Sequence, residues 1–79
     1  MAPRGAFGLR VRRLRQALQL SQAELATRAH VSRGYLARLE IGMQSPTLEV
    51  IERLARALHV APGALFETGA HEEKKKRKP

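Results

Sequence analysis

The chain has 79 residues, 43% of them hydrophobic and 4% aromatic, which allows one small domain near the lower end of what folds unaided. It has no cysteine, so neither a disulfide framework nor a thiolate metal site holds it together, and no apolar run approaches the roughly 20 residues of a membrane span. A signal-peptide apolar core is missing too, so a soluble, cytoplasmic protein is expected, and its net charge of +8 favours a polyanionic partner, nucleic acid ahead of an anionic membrane surface.

The charge is uneven: residues 1–20 carry five arginines and no acid, while residues 70–79 carry five bases against two glutamates. Helical periodicity appears in four segments, and nothing alternates as a strand does. Residues 1–6 are expected to be flexible. The first segment runs from about Phe7 to Leu20, with Phe7, Val11, Leu14 and Leu18 on one face. Ser21 then stands as an N-cap with Glu24 three residues on, the capping-box pattern that starts a helix. That second helix turns Leu25, Ala26 and Ala29 inward. Ser32 caps the third, which turns Leu36 and Leu39 inward and stops at Gly42. Pro46 and Thr47 open the fourth, whose apolar stripe is Leu48, Ile51, Leu54, Ala55 and Leu58. After Val60, APGALFE forms a short terminal turn of helix carrying Leu65 and Phe66. The expected fold is all-α, five helices over residues 7–68, followed by a disordered basic tail at 69–79 that adds phosphate affinity without specificity.

Catalysis has almost nothing to stand on. The chain has no Asp, so no Ser/His/Asp set exists, and it has no Gly-rich phosphate loop. His30, His59 and His71 fall in different segments without metal-ligand spacing. No metal, cofactor or enzymatic activity is expected.

The stretch HVSRGYLARLE, residues 30–40, leaves room for only a tight turn between the second and third helices. Two helices joined this way make a helix-turn-helix, whose second helix enters the DNA major groove. The groove, about 12 Å wide, admits one helix, so base-reading side chains cluster on its outer face and N-terminal turn. Arg33 sits on that first turn and Arg38 further along the exposed side. A guanidinium fork matches the two acceptors of guanine and also pairs with phosphate. Gly34 and Ala37 are small enough to let the helix sit deep. Taken alone, two arginines on an amphipathic helix also describe a solvated face; the surrounding pattern adds the weight.

That pattern, SQAELATRAHVSRGYLARLEIG, preceded by GLRVRRLR and followed by SPTLEVIERLARALHVAPGALF, resembles the Cro/CI-type (XRE) helix-turn-helix regulators over about residues 7–66. The resemblance implies a lambda-repressor-like DNA-binding domain with its helix-turn-helix at the second and third helices. It implies that Gln22 contacts a phosphate and braces the recognition helix, and that Ser32 caps that helix and touches phosphate. Arg33, Gly34 and Arg38 fall where members read bases, and Gln44 and Ser45 join the DNA-binding set from the following loop. Arg15 and Glu40 fall where the family places a partly buried ion pair. Three positions depart from the pattern. His30 stands where a glycine usually makes the turn. Gly34 removes one expected base contact, for which Arg33 or Tyr35 must compensate. Ile41 replaces a polar residue that often touches phosphate. Tyr35 either stacks on the helix edge or donates its hydroxyl to a phosphate.

The same resemblance implies a homodimer reading a palindromic operator in double-stranded DNA, with half-sites about one helical turn apart. Val60, Pro62, Leu65 and Phe66 are the candidate dimer seam, although Phe66 alternatively closes the core over the first helix. The length suits restriction–modification controller proteins and small phage repressors, and RNA polymerase is a candidate further partner. With the chain ending at Pro79, no ligand-binding domain is expected to follow. The rival reading is an antitoxin or coactivator that grips another protein.

Overall fold

The computed structural model describes residues 4–66 of the protein. Among them are four α-helices and no strand: α1 (Arg4–Ala17), α2 (Gln22–Ala29), α3 (Arg33–Glu40) and α4 (Leu48–Ala57), followed by a 3-10 turn (Pro62–Phe66). The expected tail at 69–79 lies outside the described residues. The fifth expected helix is instead that single 3-10 turn, because Pro62 and Gly63 leave too few helix-forming residues for an α-helix. The first helix also starts earlier than its periodicity suggests. It begins at Arg4, so residues 4–6 belong to α1.

The start of each later helix is fixed by a hydroxyl. Ser21 Oγ accepts from the Glu24 backbone N–H at 3.0 Å, and the Ser21 N–H donates to Glu24 Oε1 at 2.7 Å, completing the capping box. Ser32 Oγ accepts from the Tyr35 N–H at 3.0 Å, and Thr47 Oγ1 from the Val50 N–H at 3.1 Å. The ends share one device. Gln19, His30, Gly42 and His59 adopt left-handed φ values of 59°, 60°, 83° and 61°. In each case the next residue's N–H reaches back five residues: Leu20 to Arg15, Val31 to Ala26, Met43 to Arg38 and Val60 to Ala55. These are Schellman closures, in which the left-handed residue is usually glycine. Here only one of the four is.

The core gathers Val11, Leu25, Leu36, Leu39, Leu54 and Leu65, each at 1% exposure or less. The 3-10 turn is fastened to α1: Arg10 Nε donates to the Ala64 carbonyl at 3.1 Å, and the Phe7 and Phe66 rings stand 5.1 Å apart at 43°. Two expected core positions are exposed. Leu18 lies beyond the last residue of α1, where the left-handed turn at Gln19 swings it away. Leu48 is the first residue of α4 and, at 71% exposure, precedes the point where that helix meets the core. Periodicity assumes a continuing helix, and these two positions lie at its very first residue or just past its last.

Candidate nucleic-acid interface

Helix α3 is held at both ends, and the holding groups are all intramolecular. At its C-terminus, Glu40 is buried, its side chain only 2% exposed. Its carboxylate receives Arg15 Nε at 2.7 Å, Arg15 Nη2 at 3.0 Å and Gln22 Nε2 at 3.0 Å. The remaining Arg15 nitrogen, Nη1, donates to the Leu20 carbonyl at 2.8 Å. A two-pronged guanidinium–carboxylate pair with every prong bonded fixes direction as well as distance. One ion pair therefore ties α1, the first residue of α2 and the last residue of α3 into a single frame. Gln22 thus links the start of α2 to the end of α3.

Half of this frame was not legible in the sequence. Gly8, one turn into α1, packs backbone to backbone on the end of α3: a Cβ there would collide with the Leu39 carbonyl oxygen and stand 2.9 Å from Glu40 Cα. A glycine within a helical pattern is a signal of close approach, although it does not name the partner. At the other end of α3, Arg53 on α4 donates from Nη1 to the His30 carbonyl at 3.4 Å, while Nη2 pairs with Glu49 at 2.5 Å. That bond reaches the tight turn itself, where His30 takes the left-handed conformation expected of it.

The face so held carries Ser32, Arg33, Gly34 and Arg38, all exposed, with Ala37 half-buried between them. Gly34 has one neighbour: a Cβ there would stand 3.5 Å from Arg38 Nη1. Tyr35 packs half-buried against the core, and its hydroxyl turns to the Ser45 carbonyl at 3.4 Å, linking the helix to the loop that carries Gln44 and Ser45. Neither expected Tyr35 role describes that internal bond. Ile41, just past the helix, is 65% exposed. The seam candidates differ in exposure. Val60 is half-buried against the core, Pro62 is exposed and Phe66 is 59% exposed. Leu65, at 0%, is spent entirely on the chain's own core and has no surface to offer a partner.

Among the described residues, no group of three or more His, Cys, Asp or Glu is placed to hold a metal ion. No helix there is long and apolar enough to cross a membrane. The arrangement can do one kind of chemistry: present rigidly mounted guanidinium and hydroxyl donors to an anionic or acceptor-rich surface.

A family model described as a helix-turn-helix domain matches residues 6–68. The chain belongs to this helix-turn-helix family. Its relatives are transcription regulators by name. Over 58 residues it is 36% identical to the immunity repressor protein of Bacillus phage phi105, a match that covers 73% of this chain and 40% of that one. The helix-turn-helix chain thus spans about two fifths of the length of the curated relatives it matches. Among solved structures, the restriction-modification controller protein C.AhdI from Aeromonas hydrophila is 40% identical with a TM-score of 0.78, over 80% of this chain and 96% of that chain. A hypothetical transcription factor from Neisseria is 28% identical with a TM-score of 0.87, over 95% of this chain and 84% of that chain.

Proposed function

We propose that this helix-turn-helix protein is a sequence-specific transcription regulator of the controller or small-repressor kind, binding a palindromic operator in double-stranded DNA as a homodimer through the major groove. The observation that carries the proposal is the contrast on α3: Glu40 at its inner end is locked into three hydrogen bonds, while Arg33 and Arg38 are exposed and make no ion pair among the described residues. A rigid mount behind free guanidinium groups suits readout of guanine edges, in which entropy lost on docking is small. Gln22, Ser32, Gln44 and Ser45 flank these arginines and serve as phosphate contacts that set register. Phe66, beside Phe7 at the far end of α1, is the exposed aromatic around which a two-fold partner packs, with Pro62 at its edge and RNA polymerase a further partner once DNA is bound.

Selection of bound DNA from a random library, followed by titration of the selected site against scrambled DNA, tests this. A recovered two-fold palindrome is expected, bound about a thousandfold or more tighter than scrambled sequence. Equal binding to both refutes it. The rival, an antitoxin or coactivator acting through a protein partner, draws support from Ile41, Met43 and Leu48, which are 65%, 69% and 71% exposed within one short stretch. It is favoured if the isolated protein selects no sequence.

A further inference from the structure

Helix α1 carries two exposed arginines, Arg12 and Arg13, and neither makes a hydrogen bond or an ion pair among the described residues. The two differ in direction. Successive residues of an α-helix step round by about 100°, so Gly8, Arg12 and Arg15 lie within about 60° of one another on one face. Contacts locate that face. A Cβ at Gly8 would collide with the Leu39 carbonyl oxygen and stand 2.9 Å from Glu40 Cα, and Arg15 Nε reaches Glu40 Oε2 at 2.7 Å. Arg12 is the middle member, between two residues that both touch the last residue of α3. Buried Val11 borders the face on its core side, which leaves Arg12 on its solvent side. Arg13 lies about 140° round from Gly8.

Side chains on a helix lean toward its N-terminus. Arg12 therefore covers the turn that holds Gly8, where α1 crosses the end of α3. The fold has no use for a charge there. Glu40 already receives Arg15 and Gln22, and the first residue past α3, Ile41, is apolar and 65% exposed. A guanidinium mounted beside this helix, with no acid of its own to pair with, suits an anionic oxygen outside the protein. The phosphate contacts proposed above, Gln22, Ser32, Gln44 and Ser45, are all neutral. None of them supplies the positive charge that displaces counterions from a duplex.

We propose that Arg12 is a DNA-contacting residue: it pairs with a backbone phosphate beside the C-terminal end of α3, clamping the duplex from α1 without reading a base. The inference rests on the proposed DNA-reading role of α3 and adds a cationic contact from a helix outside the helix-turn-helix. Such a contact has a signature that a structural role lacks. Each phosphate neutralised by a cation steepens log affinity against log salt by about 0.9, on any duplex sequence. An arginine that merely complemented the C-terminal dipole of α3 would register in stability instead.

The test is titration at several salt concentrations, on the selected site and on scrambled duplex, of the wild type, R12A, R12K and R13A. R12A is expected to weaken binding to both duplexes by a similar factor, about five- to tenfold, and to flatten the salt slope by about one unit. R12K keeps the charge and most of the slope. R13A removes the same charge from another face and should change each reading by less than half as much. Thermal unfolding should leave R12A at the wild-type melting temperature, since Arg12 has no partner to lose. If R12A and R13A act alike, the loss belongs to net charge and the inference is overturned. The same follows if R12A leaves the slope unchanged, or if it weakens the selected site alone. A wild type that binds both duplexes equally refutes sequence reading, and the comparison of R12A with R13A on scrambled duplex still decides the phosphate contact. A wild type that binds neither refutes both.

Discussion

Replacing Arg15 with alanine removes three hydrogen bonds, two to Glu40 at the inner end of α3 and one to the Leu20 carbonyl. What remains matters more than what is lost. The Glu40 side chain, 2% exposed in the intact fold, is left with Gln22 Nε2 as its hydrogen-bond donor in place of a guanidinium. Stranding one member of a buried pair costs about 3–5 kcal/mol. Small domains hold about 5–15 kcal/mol in all, so this single change consumes a large part of the stability. For a domain of this size the melting temperature falls by roughly 4–8 °C per kcal/mol, a drop of at least about 12 °C. Substituting both residues together, Arg15→Met with Glu40→Leu, removes the stranded charge, so the double variant should be more stable than Arg15→Ala. Urea unfolding followed by circular dichroism measures all of these, and a cycle of Arg15→Ala and Glu40→Ala gives the coupling. A loss below about 1 kcal/mol for Arg15→Ala, the range of exposed pairs, or a coupling near zero, would refute the argument that this pair is the keystone of the frame.

Gly8→Ala should destabilise by about 1–3 kcal/mol, as overpacking does, although alanine is the better helix former, because the new methyl meets the Leu39 carbonyl; thermal unfolding that shows a stabilised variant would contradict it. His30→Gly relieves a left-handed non-glycine residue and should raise stability by up to about 1 kcal/mol, with DNA selectivity unchanged, as read by urea unfolding and titration. Phe66→Ser should leave the fold intact, since Leu65 keeps the core closed, yet weaken self-association in sedimentation equilibrium; a fully dimeric variant moves the seam elsewhere. The backbone N–H and hydroxyl of Ser21, with Arg28 adding a smaller pull, hold the Glu24 carboxyl below the usual carboxylate range. Its folded pKa is therefore lower than its unfolded one, so its contribution is complete above the unfolded value and fades as pH falls through the folded one. Glu24→Gln should flatten that part of a stability-against-pH curve.

The parts legible in the sequence are those whose causes are local. Ser21 with Glu24, Ser32 and Thr47 mark helix starts because the capping bond spans three residues, and all three form. The Arg15–Glu40 pair spans 25 residues and became legible only through a family resemblance, since no spacing rule joins positions so far apart. The bonds from Arg53 to His30 and from Arg10 to Ala64 had no such help and were missed. Gly8 was missed as well, although a glycine inside a helical pattern is a general signal of close approach. Leu65 and Phe66 are adjacent in sequence and apolar alike, yet one is in the core and the other outside. A turn of only five residues carries too little periodicity to tell them apart.

The four matching helix closures have a kinetic consequence. Each reversal of direction is built from backbone bonds reaching five residues back, so no turn waits for a distant partner before it can form. Chains dominated by such local contacts cross their folding barrier on a timescale of about microseconds to milliseconds. The Arg15–Glu40 clasp, joining the first helix to the third, is the long-range step that such a chain completes late. A chain built this way is expected to regain its helical frame quickly after an unfolding event, with the clasp as the contact that secures α3 to α1.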